Sequence, residues 1–154
     1  MAARTGAITA TGITLAISAT LPATHDAAGF GATTTTYTAV GEIANMGEHG
    51  STAAVGTHTP VGTGIIVKLK GPIDNGTKSL EMASYPTDAG QVILTAAMAS
   101  TALYAIKVTY PDNAIHYFTA IVSKNTYRDG AAGDTLSRMV DLAISGAIIE
   151  VAAA

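Results

Sequence analysis

The sequence predicts a mainly β protein, an antiparallel β-sandwich or small barrel with one flanking helix. Most segments between turn signals alternate β-branched or aromatic residues with polar ones, the pattern of half-buried strands. Only one stretch repeats at helical intervals, too little for strands joined by helical crossovers. At 154 residues the chain fits a single domain, 1–154, with enough core to fold unaided. It contains no Cys, which excludes disulfides, thiolate metal sites and a Cys nucleophile.

The elements follow in order. Residues 1–11, rich in Ala and Thr, read as an N-terminal arm. Residues 12–21 predict the first strand, because Ile13, Leu15, Ile17, Ala19 and Leu21 alternate and Pro22 cannot donate to a ladder. Residues 7–21 are apolar enough after Arg4 to mimic a secretory leader. Thr9, Thr11, Thr14, Ser18 and Thr20 interrupt the continuous apolar region a leader needs, and no stretch is long enough to span a bilayer. Residues 34–43, crowded with Thr and with Tyr37, predict a second strand.

Residues 45–64 are rich in Gly and Thr and read as a long structureless loop. Such loops are uncommon inside a compact domain and are usually functional. Beyond it, residues 64–70 predict a strand with Ile65, Val67 and Leu69 on one face and Ile66, Lys68 and Lys70 on the other. Asp74-Asn75-Gly76 predicts a tight hairpin turn into a return strand at 77–84, since Asn and Gly tolerate positive φ. Asn75-Gly76-Thr77 is also a glycosylation sequon, but the turn accounts for the same residues.

The helix is predicted at 87–99. Pro86 precedes it, Asp88 and Gln91 have capping-box spacing, and Ala89, Val92, Ile93, Ala96 and Ala97 recur on one stripe. Strands at 103–110 and 114–124 flank Pro111-Asp112-Asn113, a second hairpin. Residues 134–151 close the chain as one long strand or a bent pair, with Gly146 at the bend or bulge.

Composition narrows the function. Charged residues make up 12% and apolar residues 48%, so much of the surface is expected to be covered by copies of the chain or by a partner. The net charge of −3 and scattered basic residues argue against tight phosphate-backbone binding. His25, His49, His58 and His116 form no short-spaced ligand pair with each other or with a carboxylate. No Gly-x-Ser-x-Gly elbow occurs, and Gly29-Phe30-Gly31 and Gly62-Thr63-Gly64 lack the rest of a phosphate cradle. Asp74, Asp88 and Asp112 sit where turns and a helix start call for them. The reading is a structural protein, not an enzyme, without metal or cofactor.

Val40-Gly41-Glu42-Ile43, Gly47-Glu48-His49-Gly50, Thr57-His58-Thr59-Pro60 and Val67-Lys68-Leu69-Lys70-Gly71 together resemble the tail tube (major tail) proteins of phages with long non-contractile tails. Asp88-Ala89-Gly90-Gln91, Tyr110-Pro111-Asp112, Tyr117-Phe118-Thr119-Ala120 and Ile148-Ile149-Glu150-Val151 extend the likeness over nearly the whole chain from about residue 12. Asn113 stands where members of the family often place Gly.

The resemblance implies hexameric rings stacked into a tube, each subunit lending strands to a continuous inner β-barrel through which genomic DNA leaves. It implies a virion tail component made in the host cytoplasm. Its implied partners are copies of itself, tail tip and terminator proteins, the tape measure protein, and DNA that passes without specific binding, with no membrane. On this reading the loop 45–64 orders only against a neighbouring subunit or ring, through Asn45, Met46, Gly47, Glu48, His49, Gly50, Thr57, His58, Thr59 and Pro60. Glu42, Glu81 and Asp141 are the candidates for an acidic lumen that repels phosphate. The alternatives are a tube or fimbria-like subunit of a secretion system and a small ligand-binding β-domain.

Overall fold

The two longest strands form the spine of the molecule, whose computed structural model describes residues 6–153. In chain order the elements are β1 (Thr14–Ser18), α1 (Ala27–Phe30), β2 (Thr38–Ala39), β3 (Ile43–Asn45), β4 (Thr52–His58), β5 (Val67–Asp74), β6 (Thr77–Ala83), α2 (Ala89–Ala99), β7 (Tyr104–Thr109), β8 (Ile115–Arg128) and β9 (Ser137–Val151). Seven strands form one antiparallel sheet in the order β2-β1-β7-β8-β9-β6-β3, and β4 with β5 forms a separate two-stranded sheet. Met1 to Thr5 of the expected N-terminal arm lie outside the described residues, and residues 6–11 hold neither helix nor strand.

The predicted strand 34–43 is broken in two. Its first part, β2, pairs with β1, and the Val40 N–H donates to the Leu15 carbonyl at 2.9 Å. Its continuation, β3, pairs with β6 at the opposite edge, where the Ala83 N–H donates to the Glu42 carbonyl at 2.8 Å. The break falls at Gly41 and Glu42. Glu42 has φ 60, a left-handed conformation no regular strand contains. One short segment therefore bonds to both ends of the sheet and curls it around a single core.

That core joins Leu15 and Ile17 to Leu80 and Met82, to Ile106 and Val108, and to Phe118, Val140 and Leu142. Leu94 and Ala97 of α2 are fully buried against it. Asp88 caps α2 as its position predicts, accepting the Gln91 N–H at 3.0 Å. Gln91 does not complete the box. Its amide donates to the carbonyls of Ala83 (2.9 Å) and Gly41 (3.3 Å) and accepts the Tyr85 N–H, so it staples the helix to the kink.

Four further expectations need correction. A second helix exists: α1 is a single turn capped by Asp26, which accepts the Gly29 N–H at 2.7 Å, and four residues are too few to show a period. Its Phe30 stacks on Tyr117 with ring centroids 5.4 Å apart, on the sheet face turned away from the main core. β1 ends at Ser18 rather than at residue 21, because the Ser18 hydroxyl accepts the Thr20 N–H and turns the chain. The loop 45–64 is not structureless, since it contains β4.

Finally, Asp74-Asn75-Gly76 makes a turn but not a hairpin. Gly76 has φ 67 and its N–H donates to the Asp74 carboxylate at 2.9 Å, yet β5 pairs back with β4 while β6 pairs with β9 and β3. The second hairpin forms as predicted, with Asn113 at φ 65 between β7 and β8. Gly146, at φ 85, sits in a bulge where the β8–β9 register jumps from Thr119↔Ser145 to Tyr117↔Ile149.

Candidate assembly interface

β4 and β5 form an arm that stands outside the main sheet. Lys70 and Lys68 lie opposite Val55 and Thr57 on one face, and Leu69 and Val67 lie opposite Gly56 and His58 on the other. Neither face is covered. Val55, Val61, Ile65, Ile66, Val67, Leu69 and Ile73 are between 44% and 102% exposed. A row of aliphatic side chains in water marks a surface that a partner covers, and covering each fully is worth about 1.5–3 kcal/mol.

The root of the arm is built differently. The Ser51 hydroxyl donates to the Asn75 side-chain carbonyl, and the Asn75 amide donates to the backbone carbonyl of Gly146 in the β9 bulge. His25 bonds the next carbonyl of that bulge, Ala147, at 2.8 Å. Gly47 has φ 59, and a Cβ there would lie 2.1 Å from the Ser79 carbonyl oxygen, so only glycine lets the chain pass so close to β6. Met46 packs on the main core.

His49 turns inward. Lys78 is 2% exposed and its ammonium donates to His49 Nδ1 at 3.2 Å, while His49 Nε2 lies 2.9 Å from His116 Nδ1. A donating ammonium requires an accepting Nδ1, which assigns the His49 proton to Nε2 and makes His116 Nδ1 its acceptor. The Tyr110 hydroxyl lies 3.5 Å from His49 and 3.4 Å from His116. Burial, and then the nearby Lys78 and His116, hold the His49 pKa down to about 4. Burial pushes the Lys78 pKa down to about 8.

The residues expected in the assembly loop thus separate into two groups. Asn45 ends β3, and Met46, Gly47, Glu48, His49 and Gly50 form the root, with only Met46 and His49 partly buried. Thr57 and His58 end β4, and Thr59 and Pro60 begin the exposed connection to β5.

The acidic candidates also separate. On β6 and β9 the residues Lys78, Leu80, Met82, Val140 and Leu142 are buried, so the alternate residues Glu81 and Asp141 share the opposite face of the sheet. Lys124 of β8 lies directly across from Asp141. Glu42 is elsewhere, on the kink between β2 and β3.

Arg138 was missed. It is 2% exposed and meets no carboxylate among its bonded partners: it donates to Asn125 Oδ1 (2.7 Å), the Gln91 carbonyl (3.1 Å) and Thr95 Oγ1 (2.7 Å), tying α2 to β8 and β9. Burial lowers its pKa. The signal was present, because Lys78 and Arg138 both fall on the inward register of apolar strands. Among the described residues no group of three or more His, Cys, Asp or Glu could hold a metal ion, and no helix is long and apolar enough to cross a membrane.

Comparison with known proteins places this geometry. No curated protein sequence matches the chain. A chain of the extracellular contractile injection system PVC sheath/tube terminator superposes with a TM-score of 0.69 at 9% identity, covering 96% of this chain and 98% of that one. A chain of the anti-feeding prophage baseplate gives 0.68 at 12% identity over 97% and 98%. The SPP1 tail tube gives 0.61 at 13% identity over 91% and 76%. These likenesses show a shared fold. The family model described as "Lambda phage tail tube protein, TTP" matches residues 30–149, from α1 to β9, and the chain belongs to that family.

Proposed function

We propose that this protein polymerises as stacked hexameric rings into the tail tube of a phage with a long non-contractile tail, the conduit for genome ejection. The observation that carries the reading is the uncovered arm, apolar on an element outside the main core, in a chain of the tail tube family. A head-to-tail contact closes into a ring when its rotation permits and otherwise propagates as a helix, and pairing strands across subunits removes the exposed sheet edges. The arm orders fully against a neighbouring subunit or ring, and its Gly residues make that ordering costly, which restrains premature polymerisation.

On this reading Glu81 and Asp141 face the lumen, where carboxylates repel passing phosphates and DNA slides without specific binding. The subunit is made in the host cytoplasm and becomes part of the virion tail. Its partners there are tail tip and terminator proteins and the tape measure protein. A tube enclosed by a contractile sheath is the second reading, favoured by the fold shared with chains of the contractile particles. Negative-stain electron microscopy of the purified protein tests both: hollow ringed tubes support assembly, and a monomer at high concentration overturns it. Co-expression with candidate sheath protein separates the two, since only the second reading yields sheathed tubes.

A further inference from the structure

A second uncovered apolar surface lies at the far end of the strand that follows the arm. β6 leaves the arm at Thr77 and ends at Ala83, and the chain then enters a groove between α2 and the end of β8 lined by Pro86, Val92, Thr95, Ala96, Tyr127 and Arg138. The groove has a volume of about 430 Å³. Tyr85, Val92, Tyr127 and Leu136 around it are each more than half exposed. Seven residues of β6 separate the two surfaces, about 20 Å at the rise of a strand. One end of the β6–β9 ladder therefore carries a projecting apolar element, and the other end carries an apolar recess.

Charge divides the same way. The arm, residues 52–74, contains Lys68 and Lys70 against the single Asp74, which contributes +1 and leaves −4 for the rest of a chain whose net charge is −3. Elsewhere two of the basic residues, Lys78 and Arg138, are buried. The β8–β9 turn beside the groove carries exposed Asp129 and Asp134 against the single Arg128. A cationic, apolar arm is complementary to this recess and its acidic turn.

We infer that the α2–β8 groove is the receptor for the arm of a second copy of this chain, with Ile65, Ile66 and neighbouring aliphatics in the recess and Lys68 and Lys70 towards the β8–β9 turn. The two patches differ and lie at opposite ends of one ladder, so the contact is heterologous and links copies head to tail. The inference rests on the tube reading and adds to it the surface that the arm grips.

The absence of Cys makes the test direct. Ile66→Cys/Val92→Cys and the control Ile66→Cys/Thr36→Cys, all at exposed positions, are assembled and mildly oxidised, then run on non-reducing gels. The expected result is loss of the monomer band into a ladder of covalent oligomers for the first protein and retention of monomer for the control. Tubes in which the two proteins cross-link equally overturn the receptor assignment alone. A monomeric disulfide of altered mobility also overturns it, because the arm would then lie in its own groove. Protein that never assembles overturns the tube reading, and the assignment with it.

Discussion

Lys78 of β6 donates to His49 across 3.2 Å, pinning the segment that enters the arm to the strand that leaves it. The pair is mostly buried and joins no carboxylate, so it is held together only while His49 stays a neutral acceptor. Its first consequence is a pH dependence. The His49 pKa in the folded chain, about 4, lies below its ordinary value of 6.5, so the unfolded chain binds the extra proton first. The stability from this site is full above about pH 6.5 and is lost as the pH falls through about 4. Protection factors for amide exchange at residues 46–50 should fall as the pH drops across that window in wild type and stay level in His49→Gln. Parallel profiles for the two proteins would refute the role given to His49.

Gly47→Ala should destabilise the subunit. Its φ of 59 disfavours any side chain, and the new methyl would collide with the Ser79 carbonyl. Backbone strain of this kind costs roughly 1–3 kcal/mol. Gly64→Ala, at φ 63 in open space, should cost less, about 1 kcal/mol. Urea unfolding of both variants compares them, and equal midpoints would count against the close passage at Ser79.

Arg138→Leu should be more damaging than a surface change. It leaves the Asn125 side-chain carbonyl without its donor, at about 1–3 kcal/mol for a group left unsatisfied, while the Thr95 hydroxyl still donates to the Gln91 carbonyl at 3.0 Å. Thr95→Val, which removes one of these partners, should cost less. Thermal unfolding followed by circular dichroism checks the order.

Reversal of Glu81 and Asp141 to Lys should leave the subunit folded, because both side chains face away from the core. Tubes built from the reversed protein should slow DNA ejection. An unchanged ejection rate in the double variant would remove these residues from the lumen.

Much of the fold was legible because strand alternation is local. Leu15 and Ile17, Leu80 and Met82, and Val140 and Leu142 announce their inward faces through spacing alone. The stripe read for α2 was placed on the wrong face, since Val92 and Ala96 are exposed while Gly90, Gln91, Leu94 and Ala97 are buried. The failures were cases where a distant partner decided. Nothing near Gly41 reveals that residues 38–45 will bond to both edges of the sheet. Asn75-Gly76 specifies a reversal of the chain, but the choice of β4 as the partner of β5 is made elsewhere. β4 itself, with Gly56 and two Ala in seven residues, carries too weak a pattern to be read. The arm was legible as an anomaly at 45–64, while its inward-turned His49 and the groove beside α2 were not, since both depend on strands far apart in sequence.

The central claim is that the arm drives polymerisation while the body folds without it. Because Ser51 and Asn75 are hydrogen-bonded at the root, a short Gly-Ser linker can replace residues 52–74 and leave the body undisturbed. Sedimentation velocity paired with negative-stain microscopy of this protein is the most direct test. The account predicts a cooperatively folded monomer that makes no tubes at concentrations where wild type does, and ordinary tubes from the armless protein would contradict it.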